Sequence, residues 1–170
     1  RRHHRCPAVR DCDHVGDRRD SKVLANAVRS DLDAALQRGA ACDPDADAIV
    51  FLPQAEPDET PLRISHRQFV GRVTQAANLF TELGVGPGDC VSLLLPLVPQ
   101  SFFCLFGAEA AGIANPVNPL LEAGQIAEIL RAANTKVLVA LGPVPGSDIW
   151  AKVERIRDQL PGLKAIVVVG

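Results

Sequence analysis

The chain has 170 residues, of which 47% are hydrophobic, and its net charge is −2. This profile is typical of a globular protein with its own core, and it excludes a largely disordered chain and a strongly basic nucleic-acid binder. No apolar run reaches the about 18 residues that a membrane-spanning helix needs, and no apolar segment follows the basic N-terminus as in a signal peptide.

Residues 1–20 are highly charged and lack apolar periodicity, so we expect a disordered or non-native tail there. Their histidines and cysteines match no standard zinc spacing and predict no metal site. These residues are His3, His4, Cys6, Cys12 and His14. The whole chain has five cysteines, an odd and scattered set that argues against a disulfide framework and favours a reducing compartment, the cytoplasm.

The first predicted elements are a helix, a hairpin and a second helix. Apolar residues at helical spacing predict a helix over 21–39, which Gly39 would end. Two short apolar segments, Ala48–Leu52 and residues 62–65, predict strands that pair as a hairpin with a long loop. Ser65 and Gln68 form a capping box ahead of an apolar helical stripe. The stripe consists of Phe69, Val73, Ala76, Phe80 and Leu83.

Glycines follow this second helix and precede an apolar strand. Gly84 fits the left-handed position past a helix end, and residues 86–89 fit a type II turn with Gly88 at positive φ. The strand Cys90–Leu95 is apolar except at Ser92, which predicts a strand covered on both faces. Pro99 fits the first turn of the next helix, which is apolar on most sides and is expected to be deeply buried.

The rest of the chain alternates strands and helices. First comes a short extended segment, "IANPVNP", followed by an amphipathic helix and the strand "KVLVAL". A helix capped by Ser147 then runs to Leu160, and the strand "KAIVVV" comes last. The amphipathic helix is expected to direct Ile126, Ile129, Leu130 and Ala133 inward. This alternation predicts an α/β fold with a mainly parallel sheet and flanking helices.

The glycine-rich stretches do not predict a phosphate loop. Such loops follow a strand and open a helix, whereas the glycines at 84–88 follow a helix and open a strand. The segment "LGPVPGSD" does open a helix, but no Lys-Ser/Thr pair ends it, and a simple connection is expected.

No other residue predicts catalysis. His66 is expected to be exposed beside a helix cap, Ser92 lacks a G-x-S-x-G elbow, and Glu109 is expected at the wet edge of its helix. Asp89 is expected to be a residue of the turn at 86–89. Three lysines are expected to border strands or face water, namely Lys136, Lys152 and Lys164. We therefore assign no catalytic, cofactor-binding or metal-binding residue.

The order of the motifs resembles that of a known family. The stretch "LRISHRQFVGRVTQAANLFTELGVGPGDCVSLLLP" is similar to the early region of the AMP-forming acyl-CoA synthetases, and "LFGAEAAGIANPVNPLLEAGQIAEILRAANTKVLVA" is similar to the block that follows it. The likeness covers about Ala48 to Gly170. The matching residues are Ser65, Leu83, Gly84, Val85, Gly88, Asp89, Val91, Pro96, Ala111, Gly112, Pro116, Asn118, Pro119, Ile129, Leu130, Lys136 and Val137.

The resemblance implies that residues 21–170 are the N-terminal portion of an AMP-binding domain. An enzyme of this family uses ATP and Mg²⁺ to convert a carboxylic acid, here expected to be a fatty acid, into an acyl-adenylate and then transfers the acyl group to CoA. The family's phosphate loop, ribose-binding acid and catalytic lysine have no counterpart here, so a fragment without activity of its own is expected. Two alternatives stay open: a non-catalytic α/β binding or regulatory module, and an adenylation domain that serves a carrier protein.

Overall fold

The computed structural model describes residues 34–56 and 58–170. The predicted tail at 1–20 and most of the predicted helix 21–39 therefore lie outside the described residues. The helix α1 is described over 34–42 and continues through Gly39, so the prediction that Gly39 ends it was wrong. A glycine inside a helix lowers its stability by only about 1 kcal/mol. The chain turns after the helix instead, where the Asp43 carboxylate accepts the backbone N–H groups of Asp45 and Ala46.

The predicted hairpin and the capped helix after it are confirmed. Strands β1 (Asp47–Phe51) and β2 (Leu62–Ser65) pair antiparallel, and helix α2 follows at His66–Glu82. The Ser65 side chain accepts the Gln68 N–H, and the Gln68 side chain accepts the Ser65 N–H, which completes the capping box. Past the end of α2, Gly84 has a φ of 82°, the left-handed region that glycine adopts without strain.

The predicted parallel sheet is also confirmed. Its four strands, in the order β4-β3-β5-β6, are all parallel. The elements are β3 (Cys90–Leu94), α3 (Pro99–Ala111), β4 (Ile113–Pro116), α4 (Ala123–Ala132), β5 (Thr135–Leu141), α5 (Ile149–Ile156) with a 3₁₀ turn at Arg157–Gln159, and β6 (Ala165–Val169). None of the described helices has the length and apolar character to cross a membrane.

Helices cover the sheet on both faces and form two apolar clusters. Val91 and Leu93 of β3 belong to the cluster that includes residues of α2 and α3, such as Phe80. Leu94 belongs to the cluster on the other face, which α4 and α5 complete. Every residue of β3 is buried, as the continuous apolar run predicts.

Three details of the loops and helices differ from expectation. Gly88 does not have a positive φ, so the turn closed by the Asp89 N–H on the Gly86 carbonyl is not type II. Proline at the second position fits both type I and type II turns, and a glycine at the third position permits a positive φ without requiring it. The helix predicted to run to Leu160 is α-helical only to Ile156, and its N-cap residue is Asp148 rather than Ser147.

Two helices present different faces from those expected. In α4 the buried residues are Ile126, Ala127 and Leu130, while Ile129 is 37% exposed. In α3 only Pro99, Gly107 and Ala108 are buried, so the expectation of a deeply buried helix was wrong. An apolar sequence allows a helix to be buried, but how much of the helix is buried depends on which elements pack against it.

Helices α2 and α3 approach each other closely at a glycine. A Cβ atom placed on Gly107 of α3 would lie 2.6 Å from the Ala76 Cβ of α2 and 2.9 Å from the Ala77 backbone nitrogen. The two helix backbones come so close at this point that only small residues fit at Gly107 and Ala76. Gly71 is the natural comparison, since it also lies within a helix but nothing stands within 4 Å of its Cβ position.

We expect Gly107→Ala to destabilise the chain by about 1–3 kcal/mol, because the added methyl group separates α2 from α3. Gly71→Ala is expected to stabilise it by up to about 1 kcal/mol through helix propensity alone. Urea unfolding followed by circular dichroism measures both changes. Equal effects of the two substitutions would contradict a close helix contact at Gly107.

Candidate functional site

An apolar cavity of about 590 Å³ lies against α1, β1, α2 and α3. Aromatic rings form much of its wall, with Phe69 from α2 and Phe102 and Phe106 from α3. Phe69 and Phe106 pack edge to face with their centroids 5.8 Å apart. The cavity has a volume typical of small-molecule sites, but its wall offers van der Waals contact rather than acid–base chemistry.

His66 is the polar exception in this wall. It is half-buried and lines the cavity, whereas the sequence predicted an exposed histidine. Its position follows from the hairpin: the His66 backbone N–H donates to the Ala46 carbonyl at 3.0 Å, which holds the first residue of α2 against the start of β1.

Buried hydroxyl groups form a chain of hydrogen bonds across the sheet. The Thr135 hydroxyl donates to the Leu130 carbonyl at 2.9 Å, so the Ser92 hydroxyl must supply the proton of the 2.7 Å bond between Ser92 and Thr135. The Asn115 amide then donates to Ser92 at 2.9 Å. Each group has its proton committed and no base contacts Ser92, so the chain links β4, β3, β5 and α4 rather than activating a nucleophile.

A second polar cluster joins the glycine-rich turn to β5. The Lys136 ammonium donates to the Gly84 carbonyl at 2.5 Å and to the Asp89 carboxylate at 2.7 Å. The Gly86 N–H donates to the same carboxylate oxygen at 2.8 Å. Two hydrogen bonds hold the pKa of Asp89 below its usual range, and the bond from Lys136 has a larger effect than the bond from Gly86. Asp89 stabilises the turn at 86–89, as expected, but its ion pair with Lys136 was not predicted.

Lys152 is the clearest departure among the lysines. Its side chain is only 11% exposed, so the prediction that it faces water or borders a strand was wrong. The ammonium donates to the Pro119 carbonyl at 2.9 Å and pairs with Asp148 at 3.0 Å. Lys152 thus fixes the loop after β4 to α5. Lys164 is exposed, and Glu109 is half-buried on α3.

The hydroxyl chain and the Lys136–Asp89 cluster were not predicted, because their residues lie far apart along the chain. Lys136 and Asp89 are separated by 47 residues, and Ser92 and Thr135 by 43. Only Ser92, a single polar residue in an apolar strand, gives a local signal that a buried polar partner exists. No buried side-chain polar atom among the described residues lacks a partner.

Several known proteins with similar sequences and structures are named as CoA ligases. The family described as AMP-binding enzyme matches residues 36–169. A marinolic acid–CoA ligase of Pseudoalteromonas sp. (strain SANK 73390) is 31% identical over 125 residues, which cover 74% of this chain and 19% of that protein. A long-chain-fatty-acid–CoA ligase, FadD13, of Mycobacterium tuberculosis is 33% identical over 86 residues, which cover 49% of this chain and 17% of that protein.

Solved structures agree with the sequence relatives. The anthranilate CoA ligase AuaEII, solved in complex with anthranoyl-AMP, superposes with a TM-score of 0.69 at 28% identity. That superposition covers 82% of this chain and 25% of the other. The chain thus spans about a fifth of the length of the first curated relatives and a quarter of this solved structure.

The Lys136–Asp89 pair makes a pH-dependent contribution to stability. Because the folded pKa of Asp89 is lowered, the contribution is complete above the ordinary aspartate pKa of about 4 and is lost as the pH falls through the lowered value. We expect Asp89→Asn to cost about 0.5–1 kcal/mol near neutral pH, since the carboxylate is partly exposed and screened.

Urea unfolding at several pH values measures this contribution, and the difference between Asp89→Asn and the unsubstituted chain should shrink toward zero in acid. Asp158→Asn is the matched control, because Asp158 is exposed and lies 3.8 Å from Arg157. A stability difference for Asp89→Asn that stayed constant from neutral to acidic pH would rule out the ion pair as its source.

Proposed function

The chain belongs to the AMP-binding enzyme family, and from that premise we propose that the whole protein is an AMP-forming acyl-CoA ligase. The observation that carries this proposal is the family match over residues 36–169, supported by the parallel sheet and by relatives that are CoA ligases of carboxylic acids. In this proposal ATP activates a carboxylic acid as its acyl-adenylate, and CoA then accepts the acyl group.

We propose a fatty acid or another acid with a large apolar body as the substrate. The names of the relatives support this choice, since they include ligases of marinolic acid and of long-chain fatty acids. We also propose the cytoplasm as the location, because the described cysteines Cys42, Cys90 and Cys104 are free thiols, as in a reducing compartment.

We propose that ATP, Mg²⁺ and CoA are bound by other parts of the whole protein. No group of three or more His, Cys, Asp and Glu side chains among the described residues is arranged to hold a metal ion. The connections that follow β3, β4 and β5, at the edge of the sheet where α/β folds bind ligands, contain no lysine and no glycine-rich loop ending in one. We therefore propose that residues 21–170 contribute the N-terminal scaffold of the AMP-binding domain, that residues 1–20 lie outside it, and that this segment alone is inactive.

The 170-residue chain, incubated with Mg-ATP, CoA and a fatty acid, is expected to release no pyrophosphate above a control without the acid. The physical reason is that catalysis of adenylation needs groups aimed at the phosphates, which in this proposal lie outside residues 21–170. A coupled pyrophosphate assay measures this directly. Acid-dependent pyrophosphate release by the 170 residues would overturn the proposal that they are inactive alone.

The product of the complete gene tests the proposed ligase reaction. It is expected to form AMP and acyl-CoA in equal amounts, and only when the acid, ATP and CoA are all present. Mass spectrometry of the thioester identifies the acid among a panel that spans fatty and aryl acids. Acyl-adenylate without transfer to CoA would favour a carrier-protein partner, and no AMP with any acid would contradict the ligase proposal.

A further inference from the structure

A second cavity, of about 400 Å³, lies between the hairpin and the first turns of α2 and α3. Strand β2 contributes Leu62, Arg63 and Ile64 to it, and Pro99 separates it from the apolar cavity, since that residue lines both. We call this second cavity the hairpin pocket. Its volume lies within the range of small-molecule sites.

One side of the hairpin pocket is cationic. Arg63 and Arg72 line it together with the amides of Gln68 and Gln100, and no carboxylate belongs to its wall. Arg63 uses one terminal nitrogen to pair with Asp47, which leaves most of its N–H donors available. Arg72 donates to the Gln75 side chain at 3.4 Å and takes part in no ion pair among the described residues.

The other side of the hairpin pocket is apolar, and packing holds its aromatic ring in place. Phe103, Leu62, Ile64 and Pro99 form it. The Phe103 ring packs against Phe69 with the centroids 5.7 Å apart, so the ring is held by the core of the α2–α3 contact. An apolar wall beside two guanidinium groups suits a ligand with an anionic end and an apolar end.

We infer that the hairpin pocket binds a monocarboxylate with an apolar body. A carboxylate has the planar geometry that guanidinium groups bind through paired hydrogen bonds, and the apolar body would cover Phe103. Inorganic phosphate leaves the apolar wall uncovered, and an alcohol leaves the arginines without a charge partner. This binding goes beyond the proposed ligase reaction, because it requires neither ATP nor CoA.

Octanoate is the probe, titrated into the 170-residue chain at neutral pH and low salt by isothermal titration calorimetry. Arg72→Gln is expected to weaken binding about five- to tenfold through the loss of charge-assisted hydrogen bonds. Arg155→Gln, which removes an exposed arginine of α5, is the matched control and should leave the affinity unchanged. Octanol and inorganic phosphate are expected to bind at least tenfold more weakly than octanoate.

Two further variants keep the inference falsifiable if Arg72→Gln alters the fold. Asp47→Asn frees Arg63 from its ion pair and is expected to tighten octanoate binding, whereas Gln100→Glu places a negative charge in the wall and is expected to weaken it. Equal affinity for octanol and octanoate, or equal weakening by Arg72→Gln and Arg155→Gln, would overturn the inference. Failure of octanoate to bind would overturn it as well, without bearing on the ligase reaction of the complete gene product.

Discussion

The burial of β3 on both faces is the constraint on which the rest of the described structure depends. Every residue of this strand is buried, so each of its backbone and side-chain polar groups must find a partner inside the protein. Parallel neighbours on both sides, β4 and β5, satisfy the backbone. Parallel neighbours in turn require crossover connections, which place α3 and α4 where they cover the sheet.

The same constraint explains the two polar clusters. Ser92 is a hydroxyl group in the middle of β3, and it is tolerated because Asn115 and Thr135 lie beside it on the neighbouring strands. The turn that leads into β3 is held by Lys136, which reaches from β5 to Gly84 and Asp89. Both clusters thus connect β3 to β5, one within the sheet and the other at the point where the chain enters it.

Local features of this fold were predictable from sequence, while contacts between distant residues were not. The capping box at Ser65 and the left-handed Gly84 depend on a few adjacent residues, and the structure confirms both. The burial of Lys152 depends on the Pro119 carbonyl, which lies 33 residues away, and no spacing in the sequence indicates it. The prediction that α3 is deeply buried was wrong for a related reason. The sequence of an apolar helix does not indicate which of its sides is left uncovered by neighbouring elements.

The polar clusters around the sheet form their hydrogen bonds within the protein. The hydroxyl chain, the Lys136 cluster and Lys152 all bind groups of the protein itself, and each has the partners that burial demands. Arg63 of β2 and Arg72 of α2 differ because each uses only part of its N–H donors within the protein, and both line a pocket rather than lying within the core. The polar groups that hold the scaffold therefore lie around the parallel sheet, whereas accessible polar groups lie on the hairpin side.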